Sequence, residues 1–305
     1  MSKAGTPRHD PVPIGEVAEP PFVRLPDPSR IFAERAERFA ALANGHPLAP
    51  YLRFLSGLSA AQHRAQAGIS APELPPADAI ARAREFGMPP LDRHRFTASA
   101  EFDATFDRLL QLAGEIEKPA AAAAALARVA GADPGRREAM IRNVLSDSIP
   151  AEALADHVYV AAAMQLHFVR LAAQLDDKKL VPVGDGACPA CGAPPVSSMV
   201  VGWPRAHGTR FCACSLCGTL WNYVRIKCAI CASTAGIAYQ EIDGGPGTVK
   251  AETCDSCKSY VKILHQQKDP ALEPVADDVA SLGLDLLVRE SGYRRGGVNP
   301  FLMGY

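Results

Sequence analysis

The chain has 305 residues, 48% hydrophobic and 21% charged, with 32 Lys and Arg against 33 Asp and Glu for a formal net charge of -1. That length is more than one hydrophobic core usually holds and suggests about two domains, stable on ordinary burial without cross-links. The near-neutral balance excludes a chain drawn to nucleic acid or anionic lipid by its overall charge, so partners must be recognised locally.

The first 27 residues, opening "MSKAGTPRHDPVPIGEVAEPPF", are proline-rich and lack the apolar run of a signal peptide, and they read as a flexible arm of a cytoplasmic protein. A helical domain is expected over residues 28–180. It begins where Asp27 offers an N-cap, Pro28 a first helical position and Gly45 a terminator, with Phe32, Phe39 and Leu42 on one face. After Pro47, a second stripe holds Leu48, Leu52, Leu55 and Leu58, and a third holds Phe102, Phe106, Leu109, Ala113 and Ile116. Further helices are expected after the alanine run at 120–125, after Asp133-Pro134 and after Pro150. The longest apolar stretch, "ALADHVYVAAAMQLHFVRLAAQL", is interrupted by Asp156, His157, His167 and Arg170, which argues for a buried helix rather than a membrane span.

Near Val181 the texture changes to glycine, proline and short β-branched runs, and all nine cysteines fall between Cys188 and Cys257. Eight form Cys-x-x-Cys pairs: Cys188/Cys191, Cys214/Cys217, Cys228/Cys231 and Cys254/Cys257. The last two pairs repeat the first two forty residues later, which marks an internal duplication. In a reducing compartment such pairs serve metals or redox chemistry more often than structural disulfides. Each unit runs knuckle, strand, turn, strand, knuckle, strand, the zinc-ribbon or rubredoxin plan, over residues 181–226 and 227–267. Two metal sites of four cysteines each are expected, and thiolate tetrahedra suit both iron and zinc.

Gly192 and Gly218 suit the tight knuckle turns of the first unit. Ala232 and Lys258 hold those places in the second, whose knuckles are expected to be less regular. Cys212, whose counterpart is Glu252, reads as a bystander thiol, and His207 and His265 as surface residues. Residues 268–305 are expected to supply a C-terminal helix, with Val279, Leu282 and Leu286 on one face, and a glycine-rich tail. The fold class is therefore α+β and multidomain: an N-terminal all-α domain, tandem rubredoxin-like β modules and a C-terminal helix.

No nucleotide-binding glycine loop, nucleophile elbow or acid–base carboxylate pair is present, so no catalytic residues are assigned and the protein is not expected to be an enzyme. Three classes of function remain. A nucleic-acid-binding zinc ribbon would need a dense basic stripe, and residues 188–268 carry only eight Lys and Arg against four Asp and Glu. Rubredoxin-like electron transfer would need iron. A maturation factor would use the ribbons as a rigid protein-binding surface.

The stretches "NGHPLAPYLRFL", "CPACGAPPVSSMV", "VRIKCAIC", "VKAETCDSCKSYVKILHQQKDPALEPVADDVASLGLD" and "GYRRGGVNPF" resemble the formate dehydrogenase accessory protein family, FdhE, from about Pro28 to the end. The resemblance implies a cytoplasmic accessory protein required for active respiratory formate dehydrogenase. It would act on the molybdenum-containing, often selenocysteine-containing catalytic subunit before twin-arginine export. It also implies rubredoxin-type iron at Cys188, Cys191, Cys214, Cys217, Cys228, Cys231, Cys254 and Cys257. The run Ser197, Ser198 and Met199 is a candidate for docking the client.

Overall fold

The computed structural model describes residues 19–302, so the arm before residue 19 and the last three residues of the tail lie outside the described chain. Phenylalanines and leucines spaced three or four apart give each N-terminal helix one apolar face, and packing these faces together forms the helical core. Strand β1 (Val23–Arg24) leads into α1 (Ile31–Leu42), α2 (Ala49–Ala65), α3 (Ala77–Glu85), α4 (Ala100–Gly114), α5 (Ala120–Ala130), α6 (Pro134–Leu145) and α7 (Leu154–Ala172). The anticipated stripes are buried: Phe32, Phe39, Leu52, Leu55, Leu58, Phe102, Phe106 and Leu109 all face inward. Helix α7 is the central strut, buried on nearly every side. Among the described residues no helix is long and apolar enough to cross a membrane.

Side-chain caps mark the starts of α4 and α6. Ser99 accepts from the Phe102 amide and Asp133 from the Arg136 amide, satisfying backbone donors that a helix leaves free. At α1 the expectation is off by one turn. Asp27 instead accepts from the amide and hydroxyl of Ser29, closing a local turn, and regular helix begins at Ile31.

The cysteine region forms two antiparallel three-stranded units. The first contains β2 (Pro195–Val200), β3 (Arg210–Cys214) and β4 (Leu220–Asn222); the second contains β5 (Ile237–Gln240), β6 (Val249–Cys254) and β7 (Ser259–Leu264). They merge into one sheet of order β1-β4-β3-β2-β7-β6-β5, in which β2 and β7 run parallel through Ser198↔Ile263 and Met199↔Leu264. Because β2 is central, Ser197, Ser198 and Met199 are buried and offer no docking surface, which corrects the sequence expectation.

A buried ion pair crosses between the units. Arg210 of β3 lies 2.8 Å from Glu252 of β6, both almost free of solvent contact. Glu252 stands where the repeat places Cys212, so the departure from symmetry at that position supplies the partner for Arg210.

Past residue 275 the expected single helix is broken into α8 (Ala276–Ala280) and α9 (Leu282–Glu290). The Lys262 ammonium, fully buried on β7, donates to the carbonyls of Asp278 and Ser281 and to the Ser281 hydroxyl, so these oxygens serve the sheet at the helix break. The break shifts the phase of the second helix. Leu284, Asp285 and Val288 face inward, whereas Leu286, expected on the buried face, is exposed.

Lys262 and Arg295 of β8 (Arg294–Arg295) together neutralise Asp278 and Asp285. The Arg295–Asp285 contact is 2.7 Å, and Tyr260 and Asn299 donate further hydrogen bonds to the two carboxylates. Lys262→Met should therefore lower unfolding free energy by about 3–5 kcal/mol, because it leaves two buried carboxylates with one cation. A urea melt checks this; a change below about 1 kcal/mol would mean that the network carries little of the fold.

Candidate metal centres

Each unit folds its two knuckles toward one another because the strands between them form a tight antiparallel pair. Cys188, Cys191, Cys214 and Cys217 form one cluster, and Cys228, Cys231, Cys254 and Cys257 the other; within each, the four sulfurs lie inside 4.8 Å of one another. The Cys188–Cys217 and Cys191–Cys214 separations are 3.7 and 3.4 Å, and Cys228–Cys257 and Cys231–Cys254 are 3.8 and 3.7 Å. A tetrahedral ion with metal–sulfur bonds of about 2.3 Å requires sulfurs roughly 3.8 Å apart, so both clusters could hold such an ion.

Backbone donors converge on the sulfurs. In the first cluster the amides of Leu216 and Cys217 point to Cys214 Sγ at 3.4 and 3.3 Å, and Thr219 Oγ1 lies 3.1 Å from Cys217 Sγ. In the second, Ile230 donates to Cys228 Sγ at 3.4 Å. Burial raises the Cys254 thiol, but the amides of Cys257 and Ser256 and the neighbouring Cys231 and Cys228 outweigh it and bring it down to about 7. Such donors stabilise thiolate and temper the charge of a four-sulfur site.

The two clusters differ in their surroundings. The helical domain encloses the first: Leu91 and Arg93 donate backbone hydrogen bonds to the carbonyls of Ala190 and Cys191, and Gln165 of α7 donates to the Ser215 carbonyl at 2.8 Å. All four of its cysteines are buried and belong to the main hydrophobic core. The second cluster lacks this cover, with Cys231 exposed and Cys257 partly so.

The knuckle turns reflect the same difference. Gly192, Gly218, Ala232 and Lys258 all adopt positive φ, between 52° and 76°, so the second unit's knuckles keep the geometry of the first and are not less regular. The reason for glycine is the lid: a Cβ on Gly218 would lie 2.5 Å from Ile31 Cδ1, and one on Gly192 3.1 Å from Pro89 Cγ. In the second unit Lys258 is exposed and Ala232 only partly buried, so a side chain is tolerated at the strain of a left-handed residue.

Cys212 belongs to neither cluster. It is buried on β3, and burial pushes its thiol up to about 11 despite the nearby Arg210. His207 is exposed as expected; His265 is half-buried, its basicity lowered by burial and by Lys268, Lys250 and Arg225. Sequence reasoning missed the Arg210–Glu252 pair and the residues that cover the first knuckles. The mismatch of Cys212 with Glu252 was the one available signal, and its meaning depends on which strands meet.

Gly218→Ala should cost about 2 kcal/mol or more, whereas Ala232→Gly should gain about 0.5–1 kcal/mol, as judged from denaturation midpoints of the metal-loaded protein. Equal responses at the two positions would show that the lid does not set the glycine requirement. With a thiol-competing chelator, the second cluster should lose metal at least about tenfold faster than the first, followed by metal release and by alkylation of Cys231 before Cys188. Simultaneous loss from both would contradict the assigned difference in access.

Comparisons with known proteins bear on the whole chain. Family models described as FdhE, N-terminal, FdhE, central domain and FdhE, C-terminal domain match residues 20–185, 187–225 and 226–302 in turn. A protein FdhE homolog of Rhizobium meliloti (strain 1021) is 51% identical over 298 residues, covering 97% of each chain. Protein FdhE of Escherichia coli (strain K12) is 33% identical over 293 residues, covering 93% of this chain and 91% of its own. The crystal structure of the FdhE protein from Pseudomonas aeruginosa superposes with a TM-score of 0.82 at 34% identity, covering 93% of this chain and 99% of that one. Matched along nearly its full length by sequence and by fold, the chain belongs to the FdhE family.

Proposed function

We propose that this protein is a non-catalytic accessory factor that binds the catalytic subunit of formate dehydrogenase in the cytoplasm and is required for assembly of the active enzyme. The observation that carries this reading is the pair of four-cysteine clusters inside an FdhE-family fold. A metal held by four thiolates has no open position for substrate, so the sites suit shaping and electron chemistry rather than hydrolysis.

Cys188, Cys191, Cys214 and Cys217 would hold one ion, and Cys228, Cys231, Cys254 and Cys257 the other. Iron in such sites supplies a one-electron couple; zinc supplies only structure. The amides facing Cys214 and Cys228 would stabilise the charge of the bound thiolates in either case. A structural ion of this kind can contribute about 10–16 kcal/mol of apparent binding free energy, enough to order a ribbon that has little core of its own. We propose that the functional division follows residues 28–180 for the helical domain, 181–226 and 227–267 for the two modules, and 268–305 for the C-terminal helices and tail.

The test is an anaerobic pull-down from formate-respiring cells with tagged protein, read by mass spectrometry and metal analysis. Wild type should capture the formate dehydrogenase catalytic subunit and carry two metals per chain. Cys188→Ser and Cys254→Ser should each lose one of the two clusters' metals and reduce formate dehydrogenase activity in the cell. Recovery of nucleic acid without a dehydrogenase, or full maturation by both variants, would overturn the reading.

A further inference from the structure

Every edge of the first ribbon is covered: β1 pairs with β4 on one side, and β7 pairs in parallel with β2 on the other. Strand β5 holds the position in the second ribbon that β2 holds in the first, yet it is the last strand of the sheet. The correspondence is residue by residue. Ser198 stands opposite Cys212 as Tyr239 stands opposite Glu252, and it is Ser198 that pairs with Ile263 of β7.

The free backbone groups of β5 follow from its register. Asp255 donates to the Gly236 carbonyl, and Thr253 Oγ1 donates to the Ala238 carbonyl, so residues 236, 238 and 240 point toward β6. By the alternation of an antiparallel ladder, the amides and carbonyls of Ile237, Tyr239 and Glu241 point away from it. Among the described residues no backbone hydrogen bond reaches them.

The side chains beside this edge are unusually apolar for a surface. Tyr239 and Ile242 are each 46% exposed, and Val224 and Ile226 are 59% and 66% exposed. The Tyr239 hydroxyl lies 3.1 Å from both the Arg225 carbonyl and the Glu252 carboxylate, which sets the Val224–Ile226 segment alongside β5. Ile237 lies opposite Cys254, so the edge begins at the exposed second cluster. At its other end Arg225, Lys250 and Lys268 gather around His265, with Glu241 the carboxylate among them.

We infer that β5 is a docking edge, which an extended segment of the formate dehydrogenase subunit joins as an added parallel strand, with its apolar side chains against Val224, Ile226 and Ile242 and an acidic residue toward Arg225 and Lys268. This rests on the function proposed above and names its contact surface. The pattern is that of strand addition, in which backbone hydrogen bonds supply affinity and alternate side chains supply specificity. A second copy of this chain is the poorer occupant. Its β4 and β7 edges are already paired, and a twofold β5–β5 contact would be antiparallel, not the parallel pairing that the equivalent edge of β2 makes with β7.

The test uses full-length, metal-loaded protein and the purified catalytic subunit. Ala238→Lys places a charge at an exposed position on the edge strand, and Tyr239→Pro removes an amide that points away from β6. Ala238→Lys, which should retain both metals and the wild-type melt, is expected to weaken capture about tenfold or more, and Tyr239→Pro likewise. On forming the complex, the amides of Tyr239 and Glu241 should become protected from deuterium exchange. If Ala238→Lys binds within about twofold of wild type, or those amides stay unprotected in a complex that does form, the edge inference fails while the accessory reading stands. Failure of the wild type to bind the subunit at all would sink both. A free protein that sediments as a dimer dissociated by Ala238→Lys would make β5 a self-association edge instead.

Discussion

The enclosure of the first four-cysteine cluster by the helical domain is the constraint on which the remaining structure depends. Two backbone hydrogen bonds from Leu91 and Arg93 hold one knuckle, and Gln165 of α7 holds the other. Ile31 and Pro89 close over the turns, and a Cβ on either glycine would force the side chain above it to shift. The knuckles thus become part of the hydrophobic core, and a domain boundary that composition marks sharply is joined by one continuous packing surface.

From that anchored unit the rest is built outward. The parallel β2–β7 pairing attaches the second ribbon, the buried Arg210–Glu252 pair bridges the two units, and the charged network around Lys262 ties α8 and α9 to its far side. Buried charges of this kind are expensive to leave unpaired, so they act more as specifiers of a single arrangement than as a source of net stability. The result is a gradient from an enclosed cluster to an open one. The same cysteine spacing serves both, and their surroundings distinguish them.

This asymmetry gives the duplication a meaning. An internal repeat places two equivalent modules in the chain, but only one can be next to the helical domain. The other is left with an exposed cysteine and a free strand edge, beside the exposed Val224 and Ile226 at the end of the first. Those features are the ones on which the proposed docking edge rests.

The sequence by itself determined the elements whose cause is local: the helical stripes, the helix that starts at Asp133-Pro134, and the eight cysteines grouped by an exact forty-residue duplication. Periodicity and ligand spacing are short-range properties, legible without knowing the fold. Only tertiary structure decided the break between α8 and α9, because the lysine that draws off its carbonyls comes from a strand sixteen residues upstream or more. It likewise decided that Ser197, Ser198 and Met199 are interior, that Ala232 and Lys258 can replace glycine, and that Glu252 answers Arg210. Each depends on which surface another part of the chain covers, and coverage is set by packing between segments that spacing along the chain does not encode.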